Sequence, residues 1–102
     1  MPNASVALQI LPSAKNAADS WRIIDEVIKL IKRSGLKYEV GPMETTLEGD
    51  LDKLLRIVNQ AQILAIDSGA STVFSIVKII YNPKGVATIE EKVKKHRILD
   101  NH

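Results

Sequence analysis

The run Val73–Tyr81, Val-Phe-Ser-Ile-Val-Lys-Ile-Ile-Tyr, is rich in β-branched and aromatic residues at both alternating sets of positions. It reads as a strand covered on both faces. Such a segment needs neighbouring strands and a packed layer, so the rest of the chain must supply a sheet. Ala4 to Leu11 supplies the next strand, with Val6, Leu8 and Ile10 on one face and Pro12 as its stop. Two helical patterns lie between these runs. In the first, Asn16 or Asp19 is the N-cap, and Trp21, Ile24, Val27, Ile28 and Ile31 form one buried stripe that ends at Ser34-Gly35. In the second, Asp50 is the cap, Asp52 sits at the positive end of the helix dipole, and the helix runs to about Ser68-Gly69. Its core stripe is Leu51, Leu54, Leu55, Val58, Ala61 and Ala65. Ile57, Ile63, Leu64 and Ile66 widen the apolar surface beyond what one sheet face needs, which points to contact with another chain.

Between the helices, Leu36 to Val40 and Met43 to Leu47 alternate as strands around Gly41-Pro42, a hairpin. After Asn82-Pro83-Lys84-Gly85, Thr88 and Glu91 match a capping box for a short helix to about His96, with Ile89 and Val93 as its apolar contacts. Ile98 to His102 read as a fraying end. The order strand, helix, strand, strand, helix, strand predicts an α+β fold. It is a ferredoxin-like βαββαβ sandwich with one four-stranded antiparallel sheet, a short C-terminal helix and a single domain over 1–102.

Composition excludes several classes of function. A net charge of +2 is too small for electrostatic capture of nucleic acid, and the two strands expected at the sheet centre lack the aromatics that stack bases. No run approaches the roughly 20 apolar residues of a membrane span. The start shows no secretory pattern, and the absence of cysteine fits a reducing compartment, so a cytoplasmic location is expected. The only histidines, His96 and His102, lie in the basic tail, with no base beside a nucleophile and no metal-ligand spacing. Catalytic residues, metal ligands and cofactors are therefore not expected, and neither is an enzyme.

The segment most like a binding site is Tyr38 to Asp52, which carries five carboxylates, no Lys or Arg, and the pair Thr45-Thr46. The basic residues from Lys84 to Arg97 would leave the molecule bipolar. Alternation puts Glu44, Thr46 and Glu48 on one strand face and Met43, Thr45 and Leu47 on the other. Two carboxylates flanking a hydroxyl suit a polar amino-heterocycle, positively charged or neutral. Gln9 and Lys78 complete this face if they share it. The competing account takes Thr as a strand former and the exposed Glu residues as protection against edge aggregation.

Lys37-Tyr38-Glu39-Val40-Gly41-Pro42, Thr45-Thr46-Leu47-Glu48-Gly49 and Thr88-Ile89-Glu90-Glu91-Lys92-Val93 together resemble the YkoF-like thiamine- and hydroxymethylpyrimidine-binding family, from Val6 to about Arg97. The resemblance implies a ferredoxin-like fold, assembly as homodimers or homotetramers, and binding of thiamine (vitamin B1) or its pyrimidine precursor without an established reaction. It carries Thr45, Thr46 and Glu48 over as ligand contacts. Glu48 would accept from the exocyclic amine and a threonine would serve a ring nitrogen. Gln9, Leu11 and Tyr38 join them as further contacts, the last two as apolar walls. The sequence departs from many relatives at Glu44, where they carry Gly before the threonine pair. The expected function is that of a cytoplasmic carrier or sensor. The alternative is an oligomeric regulatory or structural module with no tight small-molecule ligand.

Overall fold

The computed structural model describes residues 1–100, apart from the side chains of Lys95 and residues 98–100. The expectations for His102 and its neighbour therefore lie outside the described residues. In chain order the elements are β1 (Ala4–Ser13), α1 (Ala17–Arg33), β2 (Lys37–Val40), β3 (Thr45–Gly49), α2 (Leu51–Asp67), β4 (Thr72–Tyr81) and α3 (Ile89–Asp100). The strands form one antiparallel sheet in the order β2-β3-β1-β4. This is the ferredoxin-like arrangement that the hydrophobic pattern predicts.

Local chemistry sets the boundaries. Asn16 caps α1, its side chain accepting from the Asp19 N–H at 2.9 Å, and Gly35 follows the helix at φ +76°, a left-handed turn that suits glycine. Asp50 caps α2 by accepting from the Lys53 N–H at 3.3 Å, while Asn3 accepts from the Leu51 N–H at 2.9 Å. At α3 the Thr88 hydroxyl accepts from the Glu91 N–H at 3.0 Å and Glu91 accepts from the Thr88 N–H at 3.3 Å, a reciprocal capping box.

Both long helices lie on one face of the sheet. The core joins Ala4, Val6, Leu8 and Ile10 of β1 and Leu47 of β3 to Ile23, Val27 and Ile31 of α1 and Leu54, Ile57, Val58, Ala61 and Ala65 of α2. The expected helix stripes are thus each rotated. Ile23 is fully buried in place of Trp21, which is 67% exposed, and Ile57 replaces Leu55. Helix 3.6-residue periodicity fixes the spacing of a stripe, but the neighbouring helix decides which edge of it turns inward.

Two strand expectations also change. β1 continues through Pro12 to Ser13, because β3 pairs with it only as far as Leu8 with Thr45. Beyond Leu8 one side of β1 is an edge, where the missing proline N–H breaks no ladder. β4, expected to be covered on both faces, is instead an edge strand, bonded among the described residues only to β1. Phe74, Ile76 and Ile80 are exposed on the sheet face away from α1 and α2.

Candidate functional site

The overhang of β1 past the end of β3 creates a groove. Its floor is Leu8 to Leu11, one wall is α1 through Trp21, Ile24, Asp25 and Ile28, and the other is the hairpin turn Val40 to Thr45. The space measures about 440 Å³, within the range of small-ligand sites. The edge of β1 from Gln9 to Leu11 that faces this space has no strand beside it among the described residues, so its backbone polar groups are open to a guest.

The turn is held shut by the Gly41 N–H, which donates to the Glu44 carbonyl at 2.9 Å. A Cβ on residue 41 would stand 2.8 Å from that same oxygen, so the close approach requires glycine. The turn thereby fixes where Glu44 and Thr45 enter the groove. Thr45 is buried, whereas Glu44 reaches across the open sheet face to Lys78, their carboxylate oxygen and ammonium nitrogen 2.9 Å apart. Cross-strand register puts Gln9, Thr46, Lys78, Glu48 and Glu39 on this open face. Gln9 and Lys78 do share the face of the acidic strand.

The six residues singled out in the sequence fall into four places. Gln9, Leu11 and Thr45 line the groove. Thr46 lies on the other side of the hairpin turn, in a depression of about 300 Å³ bordered by Glu39 and by the same Gly41 to Glu44 turn. Tyr38 lines a recess under α3 together with Lys37, Ile89, Val93 and Arg97. Glu48 is only 5% exposed, and its carboxylate accepts from the Ile89 N–H at 2.7 Å, with the Lys37 ammonium 3.9 Å away. It therefore sits at the positive end of α3, a place a helix dipole favours for an anion.

Trp21 and Asp25 are groove residues that the sequence reading missed. They occupy adjacent turns of α1, four residues apart, and so stand one above the other. A signal was present: the chain's single tryptophan began a stripe whose other members were all aliphatic. The combined lining is apolar, through Leu8, Ile10, Leu11, Ile24 and Ile28, with an indole, two carboxylates, an amide and a hydroxyl placed around it. Flat rings with an amino substituent match that set: the walls take the ring faces, the carboxylates accept from the amine, and the indole face attracts positive charge. Among the described residues no group of three or more His, Cys, Asp or Glu gathers as metal ligands, and no helix is long and apolar enough to cross a membrane.

Fold and groove together define a ferredoxin-like domain with a ligand-sized cleft beside its central strand. The family model described as thiamine-binding protein matches residues 6–97, and the chain belongs to that family. It is 50% identical over 97 residues to a UPF0045 protein of Clostridium perfringens, covering 95% of this chain and all of that one. Identity to a UPF0045 protein of Methanocaldococcus jannaschii is 33%, over 85% of each chain. Among solved structures, a domain of unknown function from Bacillus cereus superposes with a TM-score of 0.84 at 44% identity, covering 92% of this chain and 89% of that one. A Thermotoga maritima protein proposed to act in thiamine biosynthesis or salvage gives 0.82 at 32% identity, over 92% and 98%.

Proposed function

We propose that the protein binds thiamine or its hydroxymethylpyrimidine precursor in the groove between α1 and the β2–β3 hairpin, holding the ligand without transforming it. The observation that carries this reading is the groove lining, in a chain whose family is named for thiamine binding. The aminopyrimidine ring lies between Trp21 and the aliphatic floor, its amine donates to Glu44 or Asp25, and Gln9 and Thr45 serve the ring nitrogens. Leu11 forms the outer wall, and Thr46 borders the entrance from the open sheet face. Tyr38 and Glu48 act at one remove in this reading. Glu48 is committed to the first N–H of α3, so it supports the hairpin's position rather than touching the guest.

Release of an unchanged ligand makes the protein a carrier or a sensor, working in the cytoplasm. Calorimetric titration with thiamine and with hydroxymethylpyrimidine tests the proposal. Saturable binding at micromolar strength or tighter, on the order of 8 kcal/mol, is the expected result, weakened by Thr45→Val and by Trp21→Ala. No heat and no shift of the thermal midpoint with either compound would remove it.

A further inference from the structure

Two hydrogen bonds at the margins of the sheet fix which edge of β1 each backbone group faces. The Asn82 N–H donates to the Asn3 carbonyl at 2.9 Å, continuing the register that pairs Ala4 with Tyr81, so odd-numbered residues of β1 turn their N–H and C=O toward β4. Even-numbered residues turn theirs toward β3. The hairpin gives the same answer independently. Its Gly41 N–H bonds to the Glu44 carbonyl, so Glu44, Thr46 and Glu48 face β2, while Thr45, Leu47 and Gly49 face β1 opposite Leu8, Val6 and Ala4.

Along the overhang this leaves Ile10 and Pro12 pointing their main-chain groups toward the groove. Pro12 has no N–H, and its carbonyl accepts from the Ser20 hydroxyl at 3.5 Å. Ile10 keeps both groups. A continued β3 would set Met43 opposite Ile10, since the register pairs Leu8 with Thr45. The Gly41–Glu44 turn instead carries Met43 to its tip, 74% exposed. The Ile10 N–H and C=O therefore stand side by side at the groove floor, on an edge with no strand to receive them among the described residues.

We infer that the main chain of Ile10 recognises the ligand's ring, which takes the place in the ladder that Met43 vacates. The inference rests on the proposed groove site and names what that site selects: a flat heterocycle with an amine beside an unsubstituted ring nitrogen. Such an edge sets a donor next to an acceptor, as a strand residue does, and exchanges two hydrogen bonds with one extended residue. The amine donates to the Ile10 carbonyl, and the adjacent ring nitrogen accepts from the Ile10 N–H. The second amine hydrogen remains for Asp25 or Glu44, and the other ring nitrogen for Gln9 or Thr45. A ring in this position extends the plane of the sheet, with Trp21, Ile24 and Ile28 of α1 covering one face. A backbone group left unmatched in an apolar groove is costly, so a ring lacking either partner is rejected. Thiamine and hydroxymethylpyrimidine carry the same edge, and one contact serves both.

Amide exchange followed by NMR, with and without saturating hydroxymethylpyrimidine, tests the contact directly. In the free protein the Ile10 amide should exchange faster than those of Gln9 and Leu11, which bond to β4. Ligand should slow it about tenfold or more and shift its resonance, leaving the two neighbouring amides nearly unchanged. Calorimetry adds two analogues, one with hydrogen in place of the amine and one with CH in place of the adjacent ring nitrogen, each expected to bind about tenfold weaker. A protein variant made by chemical ligation replaces the Ile10 N–H with an ester oxygen. It should keep its fold by circular dichroism, because that N–H has no strand partner in the free protein, and lose about tenfold in affinity for hydroxymethylpyrimidine. If hydroxymethylpyrimidine binds while the Ile10 amide is unchanged, or if the folded ester variant keeps full affinity, the inference is overturned and the groove reading stands. Absence of binding by both hydroxymethylpyrimidine and thiamine removes the groove reading, and this inference with it.

Discussion

Asp25 and Trp21 are the residues through which ligand charge would be read. Glu44 already has a cation at 2.9 Å in Lys78, whereas no ion pair to Asp25 is present among the described residues. A ligand with a fixed positive charge, such as the thiazolium of thiamine, therefore gains more from Asp25 than the neutral pyrimidine does. Asp25→Asn is expected to weaken thiamine binding about tenfold, roughly 1.4 kcal/mol, with little change for hydroxymethylpyrimidine and none in the thermal midpoint. Equal losses for the two compounds in calorimetry would assign Asp25 to the amine instead. Glu48 predicts the opposite pattern. Glu48→Ala leaves the buried Ile89 N–H without its acceptor, a cost of about 1–3 kcal/mol. The loss should appear as a lower thermal midpoint and faster amide exchange in α3, with groove affinity falling less than in Thr45→Val. As a residue type Glu48 was conspicuous in the sequence, but its partner lies 41 residues away. No spacing rule spans that distance.

At the scale of elements, caps and turns were the most legible features because their chemistry is local. Asn16, Asp50, and Thr88 with Glu91 each bond within three residues of themselves. Strand ends and buried faces were less legible, since both depend on what lies alongside. β1 passes through Pro12 because β3 stops short, and the α2 stripe turns to bury Ile57 rather than Leu55 because α1 occupies one flank of the helix. Leu54→Ala and Leu55→Ala separate these cases. Leu54 is 1% exposed, so its truncation should cost about 2–5 kcal/mol in denaturant unfolding, while truncating neighbouring Leu55 should cost under about 1 kcal/mol. Similar losses at both positions would mean that α2 is rotated so that Leu55 also faces the core.

Over the whole molecule, charge is where folding most changes the reading. The acidic hairpin does not stand uncompensated, and one of its cationic neighbours, Arg97, comes from the basic tail. Lys37, Lys78 and Arg97 come to Glu48, Glu44 and Glu39, so three of the five carboxylates gain cationic neighbours. A groove whose walls come from α1, β1 and the hairpin also links separate parts of the chain to one guest. Ligand at about a hundred times its dissociation constant should therefore raise global stability by about 2.7 kcal/mol, seen as a single cooperative transition at a higher midpoint. A second, unshifted transition would show that the hairpin melts apart from the rest.

Alone, the sequence determined the element order, the caps, the hairpin turn and hence the ferredoxin-like class, because periodicity and capping act over a few residues and repeat wherever the same pattern occurs. It also marked the threonine–glutamate segment as the place of interest. Only the tertiary structure decided that Gln9, Leu11 and Thr45 meet Trp21 and Asp25, that Glu48 is turned to α3, and that β4 stands at an open edge. Those facts depend on register and layer packing, where a shift of one residue or a small rotation of a helix exchanges the buried face for the exposed one.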